Sequence, residues 1–182
     1  FSPKSFNNHF GVPISLSNLN INNKFGIFEV GMSKAGEISN LSKLIQPHIG
    51  IITNIGEAHI ENFKNIKDIA KAKGEIIDNI KKGGTIILNR DDKFFRYLAG
   101  KAKLKKIKIV TFGKNKKSDV YPIKTSNSKN LIKMCVKVKD QNLDLSIKNI
   151  NIYNLLASLA LLKELNLNLE KIKNIFQNYE PT

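Results

Sequence analysis

Through residue 113 the chain alternates short apolar runs with amphipathic helical segments, and few architectures accept that pattern. The runs are 25–31 (FGIFEVG), 49–55 (IGIITNI), 85–89 (TIILN) and 106–113 (KIKIVTFG). Each is too apolar on both faces for an edge strand, so each is expected to be covered on both sides. Between them, Ile38, Leu41, Leu44 and Ile45 recur at helical spacing over 36–45, and Pro47 stops that helix. Ile66, Ile69, Ala70, Ile76, Ile77 and Ile80 make a second apolar face over 65–80, ended by Gly83-Gly84. Residues 12–19, with Pro13 in the first turn, and 93–102 also read as helices. The pattern predicts an α/β fold with a mostly parallel sheet flanked by helices.

After residue 113 the period changes. Segments 119–125, 130–140 and 142–149 alternate apolar with polar residues and predict a small antiparallel sheet; 150–165 and 168–179 return to helix. No internal repeat or low-complexity linker interrupts the 182 residues, which is about one domain.

The net charge is +15. Such a balance raises the question of a polyanionic partner. The lysines are spread along the whole chain, however, and aromatic residues are not interleaved with them as on a base-stacking surface. No nucleic-acid partner is expected, although a basic, non-enzymatic binding module stays open as an alternative. No apolar run is long enough to span a membrane, no signal peptide is evident, and the single Cys135 leaves no intrachain disulfide. A cytoplasmic protein without a membrane partner is expected.

Ligands of open α/β sheets bind at the carboxyl ends of the strands. Glu29 is expected there, at the end of the strand over 25–31. Thr53, Asn54 and His59 follow the next strand on the same edge. Lys73 lies close to the apolar face of the helix over 65–80. A carboxylate and an imidazole can share a divalent cation, Mg²⁺ or Mn²⁺ if the substrate carries phosphate. Blander readings stand beside this one: a structural histidine, a carboxylate paired with a lysine, and a lysine whose stem covers apolar surface.

The stretches NNHFGVP, EVGMSKAGEI, TNIGEAHIENF, AKAKGEI and LNRDD stand in the order and spacing of the Mur ligases, which the chain resembles over nearly its whole length. The strand acid followed by glycine and then GEI resembles the member that adds D-alanyl-D-alanine to a UDP-muramyl tripeptide. The resemblance implies the central, ATP-binding domain of a three-domain enzyme, with a P-loop-NTPase-like fold incomplete at its N-terminus. It implies ATP-dependent amide formation through an acyl phosphate, in peptidoglycan precursor synthesis. It also implies two Mg²⁺ ions, with Glu29 binding one near the nucleotide phosphates and His59 serving the other. Lys73 matches a lysine carbamylated by CO₂, which then positions metal. Asn8 matches a contact to the UDP-sugar, with Asn7 and Ser5 as neighbours. Asn151 and Asn154 match a helix start that contacts adenine. NRDD (89–92) matches a family motif with a role in turn structure.

The chain departs from the family in two places. KNI precedes Asn151 where the family has glycine, a variable residue and histidine. No GxxGKT segment occurs in the chain, and none of the family's C-terminal domain. The expectation is therefore a central-domain fragment over 1–182 of a longer, monomeric enzyme that acts on ATP, UDP-muramyl tripeptide and D-alanyl-D-alanine; the fragment alone is expected to be inactive and to bind ATP weakly. A Mur-type ligase with another acceptor stays open.

Overall fold

The structure is a computed structural model that describes residues 6–57, 60–128, 131–148 and 150–177. Among these, six strands form one sheet in the order β1-β2-β3-β4-β5-β6. The first three, β1 (Ile49–Ile52), β2 (Thr85–Asn89) and β3 (Lys108–Phe112), are parallel. The rest, β4 (Val120–Ser128), β5 (Leu131–Val138) and β6 (Gln141–Ile147), are antiparallel. The antiparallel strands are not a separate sheet. They continue the parallel one through a single pair, Phe112 with Val120.

The helices are α1 (Gly11–Ser17), α2 (Glu37–Ile45), α3 (Ile66–Lys73), α4 (Phe95–Leu104), α5 (Ile152–Glu164) and α6 (Leu169–Gln177). The period of two along β2 divides the core. Ile86 and Leu88 point to one face, where Ile38, Ile69, Ala70, Ile77 and Leu98 cover them. Ile87 points to the other and joins Val110, Phe112, Val136, Leu155, Leu156 and Leu159. All five residues of β2 are buried, as a strand covered on both sides requires.

Two sequence expectations change. The run 25–31 is not a strand. A strand needs a partner ladder. Here, among the described residues, the main-chain bond to another region is from Gly31 N to the Asn7 carbonyl, at 2.7 Å. Ile27 is 61% exposed and Phe25 is 49% exposed. Apolar character alone therefore misread this segment, and Glu29 lies on exposed, extended chain rather than at a buried strand end. The helix over 65–80 is also two pieces. The α-helix ends at Lys73 and tightens to a 3₁₀ turn over Gly74–Asn79. Gly74 is a poor helix former. Beyond it, Glu75 and Asn79 reach across to α2 instead of along their own helix. Glu75 accepts from Gly36 N at 2.8 Å and Ser39 N at 3.0 Å, and Asn79 donates to Ser42 Oγ at 2.9 Å.

The entry to α3 is held by its N-cap. Asn65 Oδ1 accepts from Lys67 N at 2.9 Å and from Asp68 N at 3.2 Å. Asn65→Ala is expected to cost about 1 kcal/mol, and urea unfolding with an unchanged slope would measure it. A loss below about 0.3 kcal/mol would mean that α3 is held by packing alone.

Candidate functional site

Parallel strands bring their carboxyl ends to one edge. There Ile52, Asn89 and Phe112 lead into three loops, and these loops are cross-tied by side chains. Asn89 Nδ2 donates to the Thr53 carbonyl at 3.1 Å. Lys73 Nζ donates to the Asn54 carbonyl at 3.0 Å. Asp92 Oδ2 accepts from Ile55 N at 2.7 Å, while its Oδ1 accepts from Phe94 N at 2.8 Å. Lys73 is half-buried, and burial pushes its amine below the ordinary lysine value, with the Asp92 charge opposing the shift. The amine therefore gives up its proton more readily than a surface lysine does.

On the far side of the same edge, Asp91 accepts from Lys114 N at 2.5 Å and Asn115 N at 3.3 Å, and its charge acts on the Tyr153 phenol. Burial, then the Asp91 charge, raise the Tyr153 phenol above its usual value, so it remains a neutral donor. The Lys114 ammonium lies 5.4 Å from the Tyr153 ring centroid. Gly113 permits this approach. Its φ is +155°, and a Cβ there would lie 2.8 Å from Asp91 Oδ2.

The α5 helix begins at this edge. Asn151 is its N-cap, with Oδ1 accepting from Tyr153 N at 2.9 Å and Asn154 N at 3.3 Å. The capping role occupies the Asn151 oxygen, so only its amide N–H groups point to other partners. Asn154 is exposed on the first turn. Asn8 likewise serves its own helix start, accepting from Phe10 N at 3.1 Å and Gly11 N at 2.9 Å.

Asn7 and Glu29, separated widely in sequence, meet: Asn7 Nδ2 donates to Glu29 Oε1 at 3.0 Å. Gly31 lets this contact form, since a Cβ there would lie 2.9 Å from Asn7 Cγ. Two carboxylates fix the loop that follows. Glu75 caps the start of α2, and Glu37 turns back onto Ser33 N at 2.6 Å and Lys34 N at 3.2 Å. Glu29 and Lys73 make no direct bond with each other among the described residues. His59 and Ser5 lie outside the described residues. Among those described, no three His, Cys, Asp or Glu side chains gather as a metal site.

Sequence reasoning passed over Tyr153 and underused Asp91 and Asp92. The available signal was Asn89, a polar residue buried to 8% exposure at the end of an apolar strand and followed directly by charged residues. Buried polar groups of that kind are normally tied to something.

The Mur ligase middle domain family model matches residues 2–162. The chain is 32% identical to the UDP-N-acetylmuramoyl-tripeptide–D-alanyl-D-alanine ligase of Buchnera aphidicola subsp. Baizongia pistaciae, over 93% of this chain and 37% of that protein. It is 37% identical to the enzyme of the same name from Buchnera aphidicola subsp. Acyrthosiphon pisum, over 64% of this chain and 26% of that protein. A crystal structure of MurF from Acinetobacter baumannii superposes with a TM-score of 0.90 at 26% identity, covering all of this chain and 40% of that one. The chain thus spans between about a quarter and two-fifths of the length of these relatives.

Proposed function

The chain belongs to the Mur ligase family and carries its middle domain, and from that premise we propose that its protein uses ATP to join D-alanyl-D-alanine to a UDP-muramyl tripeptide. The observation that carries this reading is the 32% identity to a ligase of that name across 93% of the chain. The contacts at the carboxyl edge of the sheet are consistent with it.

In this reaction a carboxylate oxygen of the tripeptide attacks the γ-phosphorus of ATP, and ADP leaves. The amine nitrogen of the dipeptide then attacks the acyl carbon, phosphate leaves, and the nitrogen loses a proton. Negative charge builds on phosphoryl and acyl oxygens, so catalysis rests on positioning and on cations.

The residues fit the implied groups. Glu29 is an exposed carboxylate held by one hydrogen bond from Asn7, a hard oxygen donor suited to Mg²⁺. We assign Glu29 and His59 to the metal ions. When bound, Mg²⁺ screens the charge of the phosphates. Lys73 is suited to carbamylation, because CO₂ adds to a neutral amine and burial favours that form here. The carbamate would bring an anion beside the metal. Asn151 and Asn154, with the Tyr153 ring between them in sequence, are assigned to the nucleotide base; Asn8, Asn7 and Ser5 are assigned to the UDP-sugar. The protein is assigned to the cytoplasm as a monomer; among the described residues no helix is long and apolar enough to cross a membrane.

The test is an assay of the full-length protein with ATP, UDP-muramyl tripeptide and D-alanyl-D-alanine. One ADP and one phosphate per ligated product are expected, with no turnover when the dipeptide is omitted. Turnover with a single amino acid in place of the dipeptide would move the protein to another branch of the family. No turnover with any acceptor would remove the reading.

A further inference from the structure

Loop acids usually bond the backbone of their own turn. Asp91 and Asp92 also reach distant segments, and they reach in different directions. Asp92 crosses 37 residues to Ile55 N, at 2.7 Å. Its second oxygen is anchored by Phe94 N, at 2.8 Å, so the carboxylate is held at both ends. With Asn89 on the Thr53 carbonyl and Lys73 on the Asn54 carbonyl, three consecutive residues of the loop after β1 are each clasped by a side chain from elsewhere. The anchor point of Lys73 is thereby flanked on both sides by bonds from the turn after β2. Asp91 faces the opposite way. It crosses 23 residues to Lys114 N, and the Lys114 ammonium lies 5.4 Å from the centre of the Tyr153 ring at the start of α5. The turn is itself pinned to β3 by Arg90 N on the Phe112 carbonyl, at 2.7 Å.

We propose that Asn89–Asp92 is a positioning hub whose two adjacent acids set two separate halves of the site. Asp92, with Asn89, fixes the loop that anchors Lys73 and runs on toward His59. Asp91 fixes the Lys114 loop, which lies against the Tyr153 end of α5, the side assigned to the nucleotide. Neither acid touches substrate in this scheme; each acts through the segment it holds. The assignment rests on the ligase reading given above.

The test separates the neighbours in the full-length protein. Asp92→Ala is expected to lower turnover about tenfold at saturating ATP and to raise the Mg²⁺ concentration for half-maximal rate, leaving KM for ATP within about threefold. Asp91→Ala is expected to raise KM for ATP about tenfold, with turnover falling less than about threefold. Asp92→Asn and Asp91→Asn keep one acceptor oxygen, and each is expected to restore most of its own parameter. They also serve if an alanine variant fails to fold. Amide hydrogen exchange provides an independent measurement. The Ile55 amide exchanges faster only when Asp92 is replaced, and the Lys114 and Asn115 amides only when Asp91 is replaced. Both variants moving the same kinetic parameter, or both sets of amides, would overturn the hub. A wild-type protein that ligates nothing would remove the ligase reading, and the exchange pattern would still decide the hub.

Discussion

Lys73→Ala is expected to lower ligation by the full-length protein by a factor on the order of 10³, while its folding stability changes by only about 1 kcal/mol. The disproportion follows from where the side chain sits. Structurally, Lys73 contributes one hydrogen bond, to the Asn54 carbonyl at 3.0 Å. A single bond of that kind is worth about 1 kcal/mol. Chemically, a half-buried amine shifted toward its neutral form can add CO₂: its nitrogen bonds the carbon, one C=O electron pair moves onto oxygen, and a proton leaves, so that the neutral amine becomes an anion; counted from the ammonium, two protons are lost. Removing a group that positions charge at a phosphoryl-transfer centre costs far more in rate than in stability. Added bicarbonate is expected to stimulate the wild type in CO₂-depleted buffer and to do nothing for Lys73→Ala. Unchanged turnover in the variant would sink the assignment. A matched fall in stability and rate would reduce Lys73 to a structural residue.

Glu164→Ala is expected to cost about 3 kcal/mol at neutral pH, a fall in Tm of roughly 6–12 °C for a domain of this size. Glu164 ends α5 at the edge of the sheet opposite the candidate site. Its side chain is only 5% exposed and pairs with Lys108 at 2.7 Å and with Lys139. The Thr85 hydroxyl donates to it at 3.3 Å. Without the carboxylate, Lys139 and Thr85 are left partly buried and unpaired. Lys108 is 57% exposed and can return to water, which keeps the cost near the low end for a broken buried pair. The pH dependence has a definite sign. Burial raises the Glu164 pKa, but the hydrogen bonds and charges of Lys108 and Lys139 outweigh it and hold the carboxyl below the usual value. A depressed carboxyl stabilises the fold above its unfolded pKa, about 4.3, and that contribution is lost as pH falls through the folded value. The gap in Tm between wild type and variant should therefore narrow between pH 7 and pH 3. A constant gap would mean that packing, not charge, is what the substitution removes.

The repeating period of the strands and helices made most of this architecture readable. Ile86, Ile87 and Leu88 had to be buried on both sides, and the structure buries them between two helical layers. The same rule failed at 25–31, because apolar residues announce burial but do not supply a hydrogen-bonding partner. It also carried the helix at 65–80 past its end at Lys73, since the pull of Glu75 and Asn79 toward α2 is tertiary and leaves no trace in local periodicity. Within the candidate site, Glu29, His59 and Lys73 could be singled out as ionisable groups in apolar company, whereas Asn7 entered only through the family resemblance. The job of Asp91 was hidden, since its partners Lys114 and Tyr153 become neighbours only after β3 and α5 are in place.

The sheet is joined across β3 and β4 by one residue pair. A seam that narrow offers little resistance to shear. What braces it is α5, whose Leu155, Leu156 and Leu159 are buried with Val110 and Phe112 on one side of the seam and with Val120, Val136 and Leu143 on the other. The helix works as a splint: it runs from Tyr153, under the Lys114 ammonium, to Glu164, tied to Lys108 and Lys139. Because one rigid rod spans the seam, the parallel and antiparallel halves have no cheap way to open separately. In native-state exchange they are expected to form a single cooperative unit, so that whatever loosens α5 at either end is felt by both.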